Sequence, residues 1–270
     1  MAMDVIDFRI YGEDMQFVEI ELDPGEAAVG EAGAMMFMED GMVMDTVFGD
    51  GSSQQQGLWG KLVGAGKRLV TGESLFTTVF QNQANTKRKV AFAAPYPGTL
   101  IPVQLRELGG TLICQKDSFL CAAKGVSLGI AFQQKLGVGL FGGEGFVMQR
   151  LEGDGLAFIH AGGTLYERTL GPGELLRVDT GCVVAMQPSV SFDIQYVGKL
   201  KSALFSGEGL FYAQLRGPGK VWLQSLPLSR MANRIIMAAP RMGGGGRDEG
   251  SLIPGVAAGG LLGGLLGSDE

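Results

Sequence analysis

The sequence predicts an all-β chain, and three observations carry that prediction. Forty-five glycines stand against ten prolines in 270 residues, with Val, Ile, Phe and Thr in short runs between them, as expected of tight turns joining short strands. Near the N-terminus apolar and polar residues alternate with period two. An octapeptide, Leu140-Phe141-Gly142-Gly143-Glu144-Gly145-Phe146-Val147, returns as Leu204-Phe205-Ser206-Gly207-Glu208-Gly209-Leu210-Phe211 and, more loosely, as Leu69-Val70-Thr71-Gly72-Glu73-Ser74-Leu75-Phe76. Repetition of this kind speaks first of architecture, here one β unit written three times.

Taken in order, Ile6, Phe8 and Ile10 alternate with Asp7, Arg9 and Tyr11, and Val18, Ile20 and Leu22 alternate with Glu19, Glu21 and Asp23. Both runs read as strands with one wet face. The turn Asp23-Pro24-Gly25-Glu26 stops the second. From Leu22 to Met38 the chain can be laid without gaps on Leu170 to Met186, so that Gly33 falls on Gly181. In the middle copy the same phase places Gly125 there, with Lys116-Asp117-Ser118 standing in for the Pro-Gly turn. Each unit then has an aromatic-centred strand: Val90-Ala91-Phe92, Leu156-Ala157-Phe158 and Lys220-Val221-Trp222.

These matches divide the chain into units at 1–108, 109–164 and 165–240. The first carries an insertion at 49–67, read either as a flexible arm with a short helix around Trp59 and Leu62 or as an ordered loop. Pro227 suits a helix start, and the stripe of Leu228, Met231, Ile235 and Ile236 is expected to close the third unit. The remainder, 241–270, is an apolar tail in which Gly255, Gly259, Gly263 and Gly267 recur every fourth residue. Its apolar run, about 16 residues from Leu252 to Gly267, is short for a bilayer crossing and lacks aromatic or basic anchors. It reads as a disordered or partner-docking tail, with membrane contact or self-association as the alternative.

Charge and residue types narrow the function. A net charge of −6 disfavours a nucleic-acid partner, because affinity for a polyanion leans on Lys and Arg. Cys114, Cys121 and Cys182 are odd in number, form no C-x-x-C pair and sit in apolar surroundings, which marks reduced core thiols. The acidic N-terminus has neither a basic region nor a long apolar one, so no export signal is read there. The expected location is cytoplasmic, at most peripheral to a membrane.

The motifs that suggest chemistry weaken on inspection. Gly125-Val126-Ser127-Leu128-Gly129 fits the nucleophile-elbow pattern, but the repeat makes Ser127 an ordinary strand position. His160 is the only histidine, too few for a cupin-type metal site, and it aligns with Gln224 in the third copy, which suggests a structural or surface role. Gly64-Ala65-Gly66-Lys67-Arg68 lacks both the spacing and the hydroxyl of a phosphate loop. Lys87-Arg88-Lys89 reads as a solvated hairpin end. No catalytic, cofactor-binding or metal-ligating residue is therefore expected. The candidate ligand or structural positions are Glu73, Glu144 and Glu208 of the octapeptide. Three converging carboxylates would raise one another's pKa or collect a cation, whereas carboxylates at equivalent turns would simply pair with backbone or Arg.

The blocks Leu22-Asp23-Pro24-Gly25-Glu26, Ala93-Ala94-Pro95-Tyr96-Pro97-Gly98, Phe119-Leu120-Cys121-Ala122-Ala123-Lys124-Gly125-Val126 and Arg216-Gly217-Pro218-Gly219-Lys220-Val221-Trp222 stand in order along the chain. In them the sequence closely resembles the AIM24 family, formerly a domain of unknown function, over roughly residues 4 to 240. The resemblance implies a fold similar to the tryptophan RNA-binding attenuation protein: three tandem TRAP-like short double-stranded β-helix units around a pseudo-threefold axis, with a short C-terminal helix. It implies no established enzyme activity. Mitochondrial relatives are associated with inner-membrane organisation, and no motif here matches the attenuator's tryptophan or RNA sites. The function expected is a non-enzymatic scaffold that binds a protein partner or small ligand and forms a homo-oligomer. The alternative is a membrane-associated organising or stress protein using the tail, and RNA binding or a serine hydrolase are minor alternatives.

Overall fold

The two alternating runs form an antiparallel hairpin of β1 (Asp7–Tyr11) and β2 (Phe17–Leu22), with Val18, Ile20 and Leu22 fully buried on one face of β2. This is seen in a computed structural model that describes residues 5–48, 76–134, 146–196 and 211–238. The insertion at 49–67, most of each octapeptide with Glu73, Glu144 and Glu208, and the tail at 241–270 lie outside the described residues.

The chain runs on through β3 (Ala27–Gly30), β4 (Met35–Met38), β5 (Met42–Phe48), β6 (Phe76–Asn82) and β7 (Arg88–Ala93). Next come β8 (Gly98–Gln104), β9 (Thr111–Gln115), β10 (Phe119–Ala123), β11 (Ser127–Gln134), β12 (Phe146–Glu152) and β13 (Leu156–Gly162). The last strands are β14 (Leu165–Leu170), β15 (Leu175–Asp179), β16 (Val183–Met186), β17 (Ser191–Tyr196), β18 (Phe211–Arg216) and β19 (Gly219–Gln224), before helix α1 (Leu228–Ala238). The protein is mostly β, in four antiparallel sheets ordered β1-β2-β7-β4, β5-β6-β3-β10-β13-β8, β11-β12-β9-β16-β19-β14 and β15-β18-β17.

The pairings follow a pattern. β7 lies between β2 and β4, and β6 between β3 and β5. β13 lies between β8 and β10, and β12 between β9 and β11. β19 lies between β14 and β16, and β18 between β15 and β17. In β4, β10 and β16 the ladder slips by one residue at Met36, Leu120 and Val184 respectively. Such a bulge bends a strand and increases its twist. Two further pairings, β3 with β10 and β9 with β16, join these groups. Because β8 pairs with β13, residues 98–104 go by pairing with the second group of strands.

Short 3₁₀ turns at Ala32–Ala34, Lys116–Ser118 and Thr180–Cys182 precede β4, β10 and β16. Asp117 therefore stands where Gly33 and Gly181 stand, and the expected placement of Gly125 is corrected. Gly125 lies in the turn before β11 with φ +103°, as Gly41 lies before β5 with φ +87°. A left-handed backbone favours glycine there, whereas the 3₁₀ position does not require it.

Buried side chains form three clusters, each of which draws residues from neighbouring groups of strands. Phe158 and Ile159 are neighbours in β13 that point opposite ways: Phe158 packs with Phe80 and Phe92, and Ile159 packs with Leu112 and Leu151. The sheets thus share cores across the joins. Asn82, fully buried, pins the β6–β7 hairpin: its amide donates to the Leu22 and Thr86 carbonyls at 2.9 Å, and its oxygen accepts from the Ala84 N–H.

Helix α1 forms where the sequence predicts it. None of its residues is buried, and Ile236 is 70% exposed. In its first turn Arg230 reaches the Ser225 carbonyl (3.1 Å) and Asp179 (3.6 Å).

Candidate functional site

The polar groups with the most unusual surroundings lie in a seam where β13 meets β8 and the end of β19. His160 is opposite Leu100 in the β13–β8 ladder and is 1% exposed. Burial removes water from the imidazole and pushes its pKa down to about 4, and an interaction with the Tyr96 backbone offsets only part of that effect. Neither ring nitrogen has a partner of good hydrogen-bonding geometry. The Tyr96 ring packs edge-on against it, with centroids 4.5 Å apart at 79°. Burial also raises the Tyr96 hydroxyl to about 12, helped by the charge of Asp117.

Glycine makes the seam possible. A Cβ on Gly98 would lie 2.1 Å from the Ala161 carbonyl oxygen and 2.5 Å from His160 Nε2. A Cβ on Gly162 would meet the Leu226 carbonyl oxygen at 2.1 Å and the Tyr96 ring at 2.6 Å. Tyr96 and Gly98 belong to the Ala-Ala-Pro-Tyr-Pro-Gly block, whose aromatic and glycine are the sequence signals of this packing.

Gln224, the counterpart of His160, is buried as well, but its amide is satisfied. Nε2 donates to the Gly181 carbonyl at 2.7 Å, and Oε1 accepts from the Gly162 N–H at 2.7 Å. The side chain links the end of β13 to the 3₁₀ turn before β16. Of the two roles expected for His160, structural or surface, its burial excludes the surface one. A neutral imidazole sealed from solvent is poorly placed to exchange protons with a dissolved substrate.

Other candidates are dispersed. Ser127 begins β11 opposite Glu152, an ordinary strand position as expected, although its counterpart is Val43 rather than Met35. It lies in the third sheet and His160 in the second. The basic run is matched by acidic neighbours: Lys87 bridges Glu21 (2.8 Å), Asp7 (3.5 Å) and Asp23 (3.6 Å), and Lys89 bridges Glu19 (2.7 Å). These pairs hold the Lys87 ammonium well above its usual pKa and leave no unopposed basic ridge there. Cys114 and Cys121 are buried free thiols and Cys182 is half-buried. Among the described residues no group of three or more His, Cys, Asp or Glu is placed to hold a metal ion. Nor is any helix among them long and apolar enough to cross a membrane.

The crystal structure of protein SPYM3_0169 from Streptococcus pyogenes superposes with a TM-score of 0.67 at 25% identity, covering 86% of this chain and 99% of that one. No curated protein matches. The family model described as "Mitochondrial biogenesis AIM24" matches residues 8–226. With most of its length inside that match, the chain belongs to the AIM24 family.

Proposed function

We propose that the protein is a non-enzymatic β scaffold that holds a protein partner or small ligand in the cytoplasm and associates with copies of itself. In this reading the chain is three short double-stranded β-helix units in series, joined through β3–β10 and β9–β16. The threefold recurrence of one pairing scheme, with its bulge at Met36, Leu120 and Val184, supports the unit structure. The observation that carries association is the placing of uncovered apolar side chains. Met36 and Met38 lie exposed on β4, and Ile235, Ile236 and Met237 lie exposed together on α1. Clustered apolar exposure of this kind marks interaction surfaces. Sedimentation of the full chain over a hundredfold concentration range tests this reading; the mass is expected to rise with concentration, and a strict monomer throughout would overturn self-association.

For a small ligand the candidate positions are Glu73, Glu144 and Glu208 of the repeated octapeptide. Glu144→Gln with Glu208→Gln should leave any calcium affinity measured by calorimetry unchanged if these glutamates only pair at equivalent turns, and loss of binding would make them a cation site.

A membrane-organising role is the second reading, favoured by the exposed apolar side chains of α1 immediately before the glycine-rich tail. Flotation with liposomes of the full chain, and of a version ending at Arg241, tests it. Flotation of the full chain alone supports the reading, and failure of both to float overturns it.

A further inference from the structure

Two strands lack a neighbour that their counterparts possess. β10 is flanked by β13 and β3, and β16 by β19 and β9, whereas β4 ends the first sheet beside β7. On the other side of these joins, β3 and β9 are each flanked twice, whereas β15 ends the fourth sheet beside β18. Burial follows the pairing. Every residue of β3, β10 and β16 is buried, but Met36 and Met38 of β4 are 55% and 38% exposed and Leu175 of β15 is 37% exposed.

We propose that β15 of one copy pairs antiparallel with β4 of a second copy, repeating between chains the joint that β3–β10 and β9–β16 make within one. This inference rests on the self-associating scaffold reading and says where the contact lies. The internal joints set the register. Cys121 faces Gly30 and Ala122 faces Val29; Ala185 faces Cys114 and Met186 faces Ile113. Gly30 and Cys114 each stand two residues before a 3₁₀ turn, and Val178 stands in the same place before Thr180. Phe37 follows its bulge residue as Cys121 and Ala185 follow theirs. Phe37 therefore faces Val178 of the second copy, and Met38 faces its Arg177.

Side-chain volume and charge suit this contact. At the internal joints a small residue on the joining strand is paired with an aromatic on the strand behind it, Cys121 with Phe158 and Ala185 with Trp222. At β4 the same pair is reversed: Phe37 is on the edge and Ala91 behind it, so the pair keeps one aromatic and one small residue. Phe37 is only half-buried there, with its outer side awaiting cover. Val178 supplies an apolar face for it. Glu39 and Asp40 follow Met38, and in this register the exposed Arg177 comes beside them, which favours this pairing over either edge with itself. An unpaired sheet edge is a ready template for such addition. Because two different surfaces meet, chains join head to tail, into a ring or an open filament.

The test uses two forms of the full chain that differ in size by a tag, one carrying Met38→Cys and the other Arg177→Cys, mixed at micromolar concentration under mild oxidation. A disulfide-linked heterodimer is expected, at least tenfold more abundant than in the parent mixture or in a mixture of Met38→Cys with Leu175→Cys. Concentration-dependent association without this cross-link would overturn the inference and leave the scaffold reading standing. A monomer at every concentration would overturn both. A chain carrying both substitutions that forms only an internal disulfide would also overturn the inference, by showing that the two edges close on each other within one molecule.

Discussion

Replacing His160 with Gln exchanges an unsatisfied buried imidazole for the side chain that the counterpart position already accommodates, and its main consequence is a change in acid stability. The folded pKa is pushed down from the usual 6.5 to about 4, so the unfolded chain binds the extra proton first as pH falls. Stability is therefore fully present above about pH 6.5 and declines as pH drops toward 4. The full effect of that difference is about 3 kcal/mol, at about 1.4 kcal/mol per pKa unit, and about 2 kcal/mol of it should be lost by pH 5. Urea unfolding of wild type and His160→Gln at pH 7.5 and pH 5 isolates this contribution, since carboxylates common to both cancel. The wild type should lose about 2 kcal/mol more than the variant over that interval. Equal losses in the two proteins would show that His160 is not held neutral by burial, and the description of the seam would be wrong.

Other perturbations read the same packing. Gly98→Ala drives a Cβ to 2.1 Å from a backbone carbonyl and should destabilise the protein by at least about 2 kcal/mol, measured by the same unfolding; an unchanged midpoint would contradict the tight approach of β8 to β13. Burial holds the Cys114 thiol up at about 12 and the Cys121 thiol well above its usual value, so a thiol reagent at pH 8 should modify Cys182 alone in the native protein and all three in urea; rapid native labelling of Cys114 would refute its enclosure.

Much of the fold was legible because it depends on local pattern. Alternation at Val18, Ile20 and Leu22 marked the buried face of β2, and the gapless match of Leu22–Met38 to Leu170–Met186 marked two strands and the 3₁₀ turn between them. Glycine misplaces the middle copy, because it is not what marks that turn. Neither Gly33 nor Gly181 has a positive φ, so Asp117 serves equally well there, whereas Gly41 and Gly125 occupy left-handed turns where the glycine is favoured. A one-residue slip also arose from aligning Phe92 with Phe158 and Trp222. The ladder sets Ala91 with them, because the aromatic of that cross-strand pair has moved to Phe37. Such an exchange conserves paired volume and leaves no trace in a single strand's pattern, and a slip of one residue turns each side chain to the opposite face.

The candidate site was less legible. A lone histidine carries no periodic signal, and its seclusion arises from Tyr96, Gly98 and Gly162, which become its neighbours only when β8 and β13 pair. The stripe on α1 correctly announced a helix, but amphipathic spacing does not say whether the chain itself supplies the covering surface.

In the proposed assembly β4 and β15 are the places where a repeated joint passes from one chain to the next. Amide hydrogen exchange of the full chain at low and at high concentration, resolved to short peptides, measures this directly. In dilute solution β4 and β15 should exchange faster than their counterparts β10, β16, β3 and β9, and at high concentration both should become protected together. Exchange at β4 and β15 that is as slow as in those counterparts when dilute, or that does not change with concentration, would contradict it.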